Sequence, residues 1–287
     1  MERDIGINDR PEREPEKTPH DKPRHIEHSP EQPPSRQPDV ILFRGHAYRL
    51  SPAQTETMRE IGRFRTVAAE DIRRHRYAGD SGEFRQDLLE LTEQGLVQLR
   101  TVWSGPNSHK LDALVLTSQA KSLLEEKFPD AKGQMLHAGF VKAREIRHDA
   151  ALYRMFQAEK ARIEVSGGRV RRVVLDYELK KKVYSPLAKA KQLAPLDYAR
   201  KQAEVAAQNG LTVVAGKIPL PDLRIEYETQ EGDMARVDLE LATGHYHARS
   251  LQEKAQAGFK LYAPESDHSH LHRVLDEREI TTAILSL

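Results

Sequence analysis

Leu220-Pro221-Asp222-Leu223-Arg224-Ile225-Glu226-Tyr227-Glu228, followed after a short interval by Arg236-Val237-Asp238-Leu239-Glu240-Leu241, is the stretch whose reading decides the fold. Both runs alternate apolar with charged residues, the period-2 pattern of half-buried strands. Thr229-Gln230-Glu231-Gly232-Asp233 lies between them, polar and containing Gly, and reads as a hairpin loop. One face then carries Leu223, Ile225, Tyr227, Val237, Leu239 and Leu241. The other carries Asp222, Arg224, Glu226, Glu228, Arg236, Asp238 and Glu240. A loop over 229–233 sets Glu226 opposite Arg236, Arg224 opposite Asp238 and Asp222 opposite Glu240. Pairing Glu226 with Asp238 instead would set like charges directly opposite, which destabilises a sheet. The loop over 229–233 is therefore expected. It leaves one unbalanced acid pair, Asp222 and Glu240, at the open end. Adjacent carboxylates repel unless a cation or proton sits between them, and hard oxygen ligands suit Mg²⁺. An ordinary charged outer strand face is the other reading of the same residues.

The whole chain has 287 residues, room for about two domains. It is 38% hydrophobic and 31% charged, and no apolar run approaches the roughly 20 residues a bilayer span needs. The charged, Pro-rich N-terminus is no secretory signal, so a cytoplasmic location is expected. Cysteine is absent, which removes disulfides, thiol nucleophiles and Cys-ligated zinc. The net charge of +1 does not advertise nucleic-acid binding, so the distribution of charge must carry that argument. Residues 1–38 hold eight of the 16 prolines and almost no large apolar residue, the composition of a disordered tail.

From residue 39 the pattern becomes that of a folded domain, expected to run to 130. Val40-Ile41-Leu42-Phe43 reads as a short strand or packed arm. Ser51-Pro52 is a helix start, with Ser as N-cap and Pro at the first helical position. Thr66 is expected to cap a second helix over 67–74, and Ser81 to open a third that ends at Gly95. A strand at 96–103, a turn at 104–108, a strand at 111–116 and a helix over 117–127 complete the set. Three helices, a hairpin and a closing helix follow the order of a winged helix-turn-helix, which Leu88-Leu89-Glu90-Leu91-Thr92-Glu93-Gln94-Gly95-Leu96-Val97 and Leu116-Thr117-Ser118-Gln119-Ala120 also resemble.

DNA contact does not follow from the order alone. The third helix carries Glu83, Asp87, Glu90 and Glu93 against Arg85, and a phosphate backbone repels acids. The basic residues lie around it: Arg73, Arg74 and Arg76 before, His109 and Lys110 after. A winged helix used for protein contact or dimerisation is the other reading.

A linker at 131–142 leads to a second domain over 143–287. A long helix from 143 to about 163 is followed by a strand over 170–179, and Lys180-Lys181-Lys182 opens a basic helical insertion at about 180–210. Neutralising phosphate is one use for such a run; a solvated helix face is the other. A short strand is expected over 211–215. After the central hairpin a helix is expected over 247–262, with Leu251, Ala255, Phe259 and Tyr262 inward. A helix over 270–276 and a last strand over 280–285 follow. His245, His247, His268, His270 and His272 could chelate a metal, but with loop-forming Ser266, Asp267 and Ser269 beside them they read as surface residues.

Pro221-Asp222 on one strand and Asp238-Leu239-Glu240 on the next resemble the restriction-endonuclease-like PD-(D/E)xK fold. That resemblance implies Mg²⁺ held by Asp222 and Glu240, with a lysine that positions water. The lysine position holds Ala242; some members take the lysine from the following helix, where Lys254 stands. Most of residues 50–287 resembles the replication-relaxation family, in which a winged helix precedes a nuclease-like half. The matching residues are His148-Asp149, Glu178 late in the first strand, Pro221-Asp222, Asp238-Leu239-Glu240, Thr243-Gly244, and Leu251, Lys254 and Tyr262.

Three functions remain open. The first is a DNA-associated protein of a plasmid or mobile element, acting in replication or transfer. The second is a Mg²⁺-dependent endonuclease using Asp222, Glu240 and Lys254, with Glu178 or Asp238 assisting. The third is a protein-interaction module without DNA binding. The partners expected are DNA, replication or transfer proteins and a second copy of the chain, with no membrane; the expected DNA contacts are Arg73, Arg74, Arg76, Arg85, Lys110, Lys180, Lys181 and Lys182.

Overall fold

A computed structural model describes residues 37–103, 110–129, 133–190, 192, 194–244, 246–276 and 282–287. The tail up to residue 36, the turn at 104–108, His109, His245 and the start of the expected last strand lie outside them. The chain is a mixed α+β protein. Among the described residues no helix is long and apolar enough to cross a membrane.

The central hairpin forms in the expected register. Strands β7 (Leu223–Glu228) and β8 (Met234–Leu241) pair antiparallel, with Glu226 opposite Arg236 and Arg224 opposite Asp238. They lie inside a five-stranded sheet of order β10-β9-β8-β7-β6, where β6 is Arg169–Leu175, β9 is Lys260–Ala263 and β10 is Ile284–Ser286. β6, β7 and β8 are antiparallel neighbours, while β8, β9 and β10 run parallel. The turn to parallel pairing needs a crossover, and α8 (Ala248–Gln256) supplies it between β8 and β9.

Helices α6 (Asp176–Ala190) and α7 (Pro195–Gln208) intervene between β6 and β7. Val174, Leu179, Val183, Leu187, Val205, Ala206, Leu211, Ile218 and Leu220 form the core between them and the sheet. The charged face of the hairpin is therefore covered at the end that carries Arg224 and Glu240, while Arg236 at the other end stays exposed. Arg224 is only 4% exposed. It clamps Asp238 through two bonds of 2.6 and 2.8 Å, and donates to the carbonyls of Asn209 (2.6 Å) and Gly210 (3.3 Å) at the end of α7. A buried guanidinium is tolerable when its donors are matched in this way.

The first half begins with a hairpin, β1 (Asp39–Phe43) and β2 (His46–Leu50), then α1 (Pro52–Arg63). Ser51 caps α1 in a reciprocal box with Gln54. β3 (Val67–Ala68), α2 (Ala69–Arg76), α3 (Ser81–Glu93), β4 (Val97–Val102), β5 (Leu111–Leu116) and α4 (Ser118–Lys127) follow. The three strands form an antiparallel sheet of order β3-β5-β4. Asp80 caps α3, and Gly95 at φ +69° lets the Leu96 N–H reach back to the Leu91 carbonyl at 2.9 Å.

One core runs through both halves. Phe43, Met58, Ile61, Leu114 and Leu116 belong to the same buried cluster as Leu223, Leu239, Leu241 and Tyr262. The bridge is α5 (Ala143–Val165), which packs on β3, β5 and α2 on one side and on β6, β7 and β8 on the other. Its buried residues therefore spread round the helix rather than along one stripe: Ile146, Ala150, Ala151, Leu152, Tyr153, Met155 and Phe156. The described part of the expected linker also touches both halves. Gln134 exchanges bonds of 2.9 Å with the main chain of Val173, and the N–H groups of His137 and Gly139 donate to Gly62 and Leu116 at 2.7 and 2.8 Å.

Five expectations need correction. Val67 and Ala68 form strand β3, so α2 starts later than expected and Thr66 is not its cap. The run 170–179 is strand only as far as Leu175, and Glu178 lies on α6. Residues 211–215 hold only an isolated bridge, Val214 to Lys217. The helix expected over 247–262 stops at Gln256, where Gly258 at φ +84° ends it; Tyr262 lies on β9. Ser266, Asp267, His268, Ser269, His270 and His272 lie on a helix, α9 (Glu265–Asp276), and not in a loop.

Candidate functional site

Two main-chain bonds hold the acid pair side by side. The Asp222 N–H donates to Glu240 Oε2 at 3.2 Å, and the Leu241 N–H donates to Asp222 Oδ2 at 2.9 Å. Asp222 enters β7 just where the hairpin ends, and its carbonyl accepts from the N–H of Asp176 at 3.1 Å, at the start of α6. The site thus sits where the two inserted helices leave and rejoin the sheet.

Lys254 arrives from α8. Its helix closes with the Gly258 N–H on the Ala255 carbonyl (2.9 Å) and the Phe259 N–H on the Lys254 carbonyl (3.2 Å), a Schellman pair that fixes the main chain at Lys254. The ammonium lies 2.7 Å from Glu240 Oε1 and donates to the Leu220 carbonyl at 2.6 Å. Its Nζ is also 5.5 Å from the Phe259 ring centroid. The Tyr246 hydroxyl donates to the same Glu240 oxygen at 2.5 Å. Asp222, Glu240 and Lys254, the three expected catalytic residues, are therefore brought together.

A second chain of charges reaches Asp222 from the other side. His148 on α5 places Nε2 3.6 Å from Asp222 Oδ2 and Nδ1 3.5 Å from Asp149 Oδ1. Arg65, from the first half, lies 3.3 Å from Asp149 and 2.7 Å from Glu145.

Glu240 is 1% exposed, and burial, reinforced by the Asp222 charge, pushes its carboxyl up to about 7. Lys254 and Tyr246 act in the opposite direction. The bond to Asp149, then that to Asp222, raises His148 to about 10, so it is an imidazolium at neutral pH. Burial and the neighbouring Glu240 raise the Tyr246 phenol. Lys254 and His148 thus supply the positive charge that the acid pair demands.

The group opens into a cleft of about 640 Å³ lined by Asp222, Glu240, Tyr246 and Lys254 together with Lys180, Tyr184, Tyr198 and Lys217. Among the described residues no cluster of three or more His, Asp or Glu side chains is set to hold a metal. Two carboxylates fit Mg²⁺ as a donor set, because that ion keeps several waters and rarely needs more than one or two protein carboxylates. Asp222 Oδ1 takes none of the bonds described above.

Comparison with models of known protein families, with curated proteins and with solved structures returns no match. The site is accordingly read from its own geometry.

The two assisting acids are not part of it. Asp238 is clamped by Arg224, and Glu178 is bound to Arg172 at 2.5 Å, where burial raises its carboxyl. The expected basic residues divide. Arg73, Arg85 and Lys110 line one cleft of about 480 Å³ with Ser81 and Phe84. Arg73 is tied to Glu70 and to the Gly79 carbonyl, and Lys110 lies 2.8 Å from Asp112. Arg74 is exposed and Arg76 half-buried, both outside that lining. Lys180 is paired with Asp176 and lines the acid-pair cleft, while Lys181 and Lys182 are exposed beside it on α6.

The acidity of α3 is partly turned inward. Asp87 accepts from Gln54 (3.1 Å) and the Tyr77 hydroxyl (2.8 Å), and Glu90 accepts from Gln54 (2.6 Å). Arg85, Gln86, Leu89 and Glu93 are the exposed residues in the body of the helix. Tyr246 and Arg65 were not expected at the site. No spacing pattern marks Tyr246, and Arg65 stands far from the acid pair in sequence.

Proposed function

We propose that this is a cytoplasmic DNA-associated protein of a plasmid or mobile element, acting in replication or transfer. Its first half is a winged helix-turn-helix and its second a PD-(D/E)xK nuclease-like unit. The order α1, β3, α2, α3, β4, β5, α4, with a β3-β5-β4 sheet, supports the first assignment. The observation that carries the second is the convergence of Asp222, Glu240 and Lys254 at one end of a sheet built in the order α5, β6, β7, β8, α8, β9. The inward bonds of Asp87 and Glu90 weaken the case for a module without DNA contact, which rested on the acidity of α3.

A Mg²⁺-dependent endonuclease is the second reading, favoured by the Lys254 ammonium 2.7 Å from Glu240, which replaces the lysine missing at Ala242. Asp222 and Glu240 would hold the ion. When bound it would supply a Lewis acid at the phosphate and lower the pKa of a water. Lys254 balances the charge of the acid pair, Tyr246 fixes the Glu240 carboxylate, and His148 faces Asp222.

One experiment separates the readings. Supercoiled plasmid is incubated with the protein and Mg²⁺, and binding is measured across a salt series. Nicking lost in Asp222→Asn establishes the nuclease. Binding that falls steeply with salt, without nicking, leaves the DNA-associated reading alone. Absence of binding at low salt overturns both.

A further inference from the structure

Tyr177 and Tyr184 stand on α6 with 57% and 53% of their surface exposed. Among the described residues the only other Phe, Tyr or Trp exposed to a comparable degree is Trp103. Seven residues is close to two helical turns, so Tyr177 and Tyr184 share one face, about 10 Å apart along the axis. Lys180 and Lys181, three and four positions on from Tyr177, fall between them. Tyr184 and Lys180 line the cleft that holds Asp222, Glu240 and Lys254.

We infer that this face of α6 and the adjoining cleft form a binding site for single-stranded DNA, which leads an unpaired strand to the acid pair. The inference rests on the reading of the protein as DNA-associated and names the form of DNA that the second half takes. Two features argue for a single strand. Solvent-exposed aromatic rings interleaved with lysines make a stacking platform, since every base has a π-face and the lysines follow the phosphates. A spacing of about 10 Å matches three steps of a stacked strand at about 3.4 Å each. The bases of a duplex are already stacked on one another and cannot use such rings. The cleft is also small. About 640 Å³ is the size of a small-molecule pocket, room for a nucleotide or two.

The charges of the cleft agree with a platform that binds through rings first. Asp176 is paired with Lys180 and Glu253 with Arg249, so these pairs carry little net charge and Lys181 is the cation between the rings that faces a phosphate. Lys217 in the lining, with Lys181 and Lys182 on the exposed side of α6, adds positive charge to the path.

The test uses the full chain and a fluorescein-labelled deoxyoligonucleotide, free or annealed to its complement, with Ca²⁺ present. Binding is read by anisotropy for wild type, Tyr177→Ala, Tyr184→Ala and Tyr184→Trp. Both tyrosines are exposed, so an unchanged melting temperature certifies the fold of each variant. Single-strand affinity should fall about fivefold to a hundredfold in each alanine variant. It should stay near wild type in Tyr184→Trp, with duplex affinity unchanged throughout. Equal single-strand binding in wild type and both alanine variants overturns the inference and leaves DNA association standing, as does equal weakening of single strand and duplex. If wild type binds neither form, both the inference and the reading beneath it fall.

Discussion

Replacing Lys254 by Met isolates the cation at the acid pair. Met keeps an unbranched apolar stem beside Phe259, so packing is largely retained. What is lost is the ammonium 2.7 Å from Glu240 Oε1, a carboxylate only 1% exposed. Leaving a buried charge without its partner would cost about 3–5 kcal/mol, but Glu240 can take up a proton instead, which from a folded value of about 7 caps the loss at about 2 kcal/mol at pH 8. For a chain of this size that is a fall in melting temperature of about 5 °C. The loss should depend on pH in a defined sense. Glu240 titrates at about 7 in the folded protein against an ordinary value of 4.5. The folded state therefore keeps a proton that the unfolded chain releases, and stability falls as pH rises through that window. Without Lys254 the folded value climbs further and the penalty extends to higher pH. At pH 8 the full cost should appear. At pH 5 Glu240 is protonated in both proteins, and only ordinary hydrogen bonds, about 1 kcal/mol, are lost. Thermal denaturation at both pH values checks this. An equal fall at pH 5 and pH 8, or none at pH 8, would refute the view that Lys254 compensates a buried charge.

Arg224→Leu should cost about 3 kcal/mol in urea denaturation, since the part-buried Asp238 is left unpaired. Arg224→Leu/Asp238→Leu should be more stable than Arg224→Leu alone, and a double variant showing the summed loss would contradict this. His148 titrates at about 10 in the fold against an ordinary 6.5, so its contribution is complete below pH 6.5 and disappears as pH rises through 10. His148→Gln should therefore lower stability slightly at pH 6, by up to about 1 kcal/mol for this part-exposed pair, and not at pH 10.5. A pH-independent effect would show that the two carboxylates do not hold the imidazolium. Gly62→Val should cost about 1–3 kcal/mol, because a Cβ there would meet Leu116 Cδ1 at 2.6 Å and Leu136 Cδ2 at 3.2 Å. An unchanged urea midpoint would mean that the strap over α1 yields freely.

The hairpin register was legible because the competing register sets Glu226 directly against Asp238, two like charges, where the observed one sets it against Arg236. The helices of the first half were legible from local chemistry: Ser51-Pro52, Thr117 and Gly95 each act within a turn of their own position. Where the reading failed, a hydrophobic period ran on past a real boundary. Leu251, Ala255, Phe259 and Tyr262 keep helical spacing, so the stop at Gly258 was overridden and β9 missed. Val170 through Leu179 looks like one apolar strand because Leu179 also faces a core, on α6. The burial of Arg224 and Glu240 could not be read from alternation, which distinguishes two faces but not what covers them. Lys254 was readable as a candidate from the empty position at Ala242, whereas Tyr246 and Arg65 meet the site through tertiary folding alone.

The detour through α6 and α7 begins and ends at one point of the sheet, pinned by the Asp176 N–H on the Asp222 carbonyl at 3.1 Å. A segment whose ends already touch can be exchanged for another of different length at little entropic cost, because closure free energy grows only with the logarithm of loop length. Glu240 belongs to β8 and Lys254 to α8, while Asp222 stands just before β7 and Tyr246 just before α8, so none of them lies on the two inserted helices. In engineering terms, the wall of the cleft and its acid pair are encoded in largely separate parts of the chain. Exchanging the two helices while keeping Asn209, Gly210 and Leu220, whose carbonyls receive Arg224 and Lys254, would reshape the cleft and leave the acids and the lysine in place.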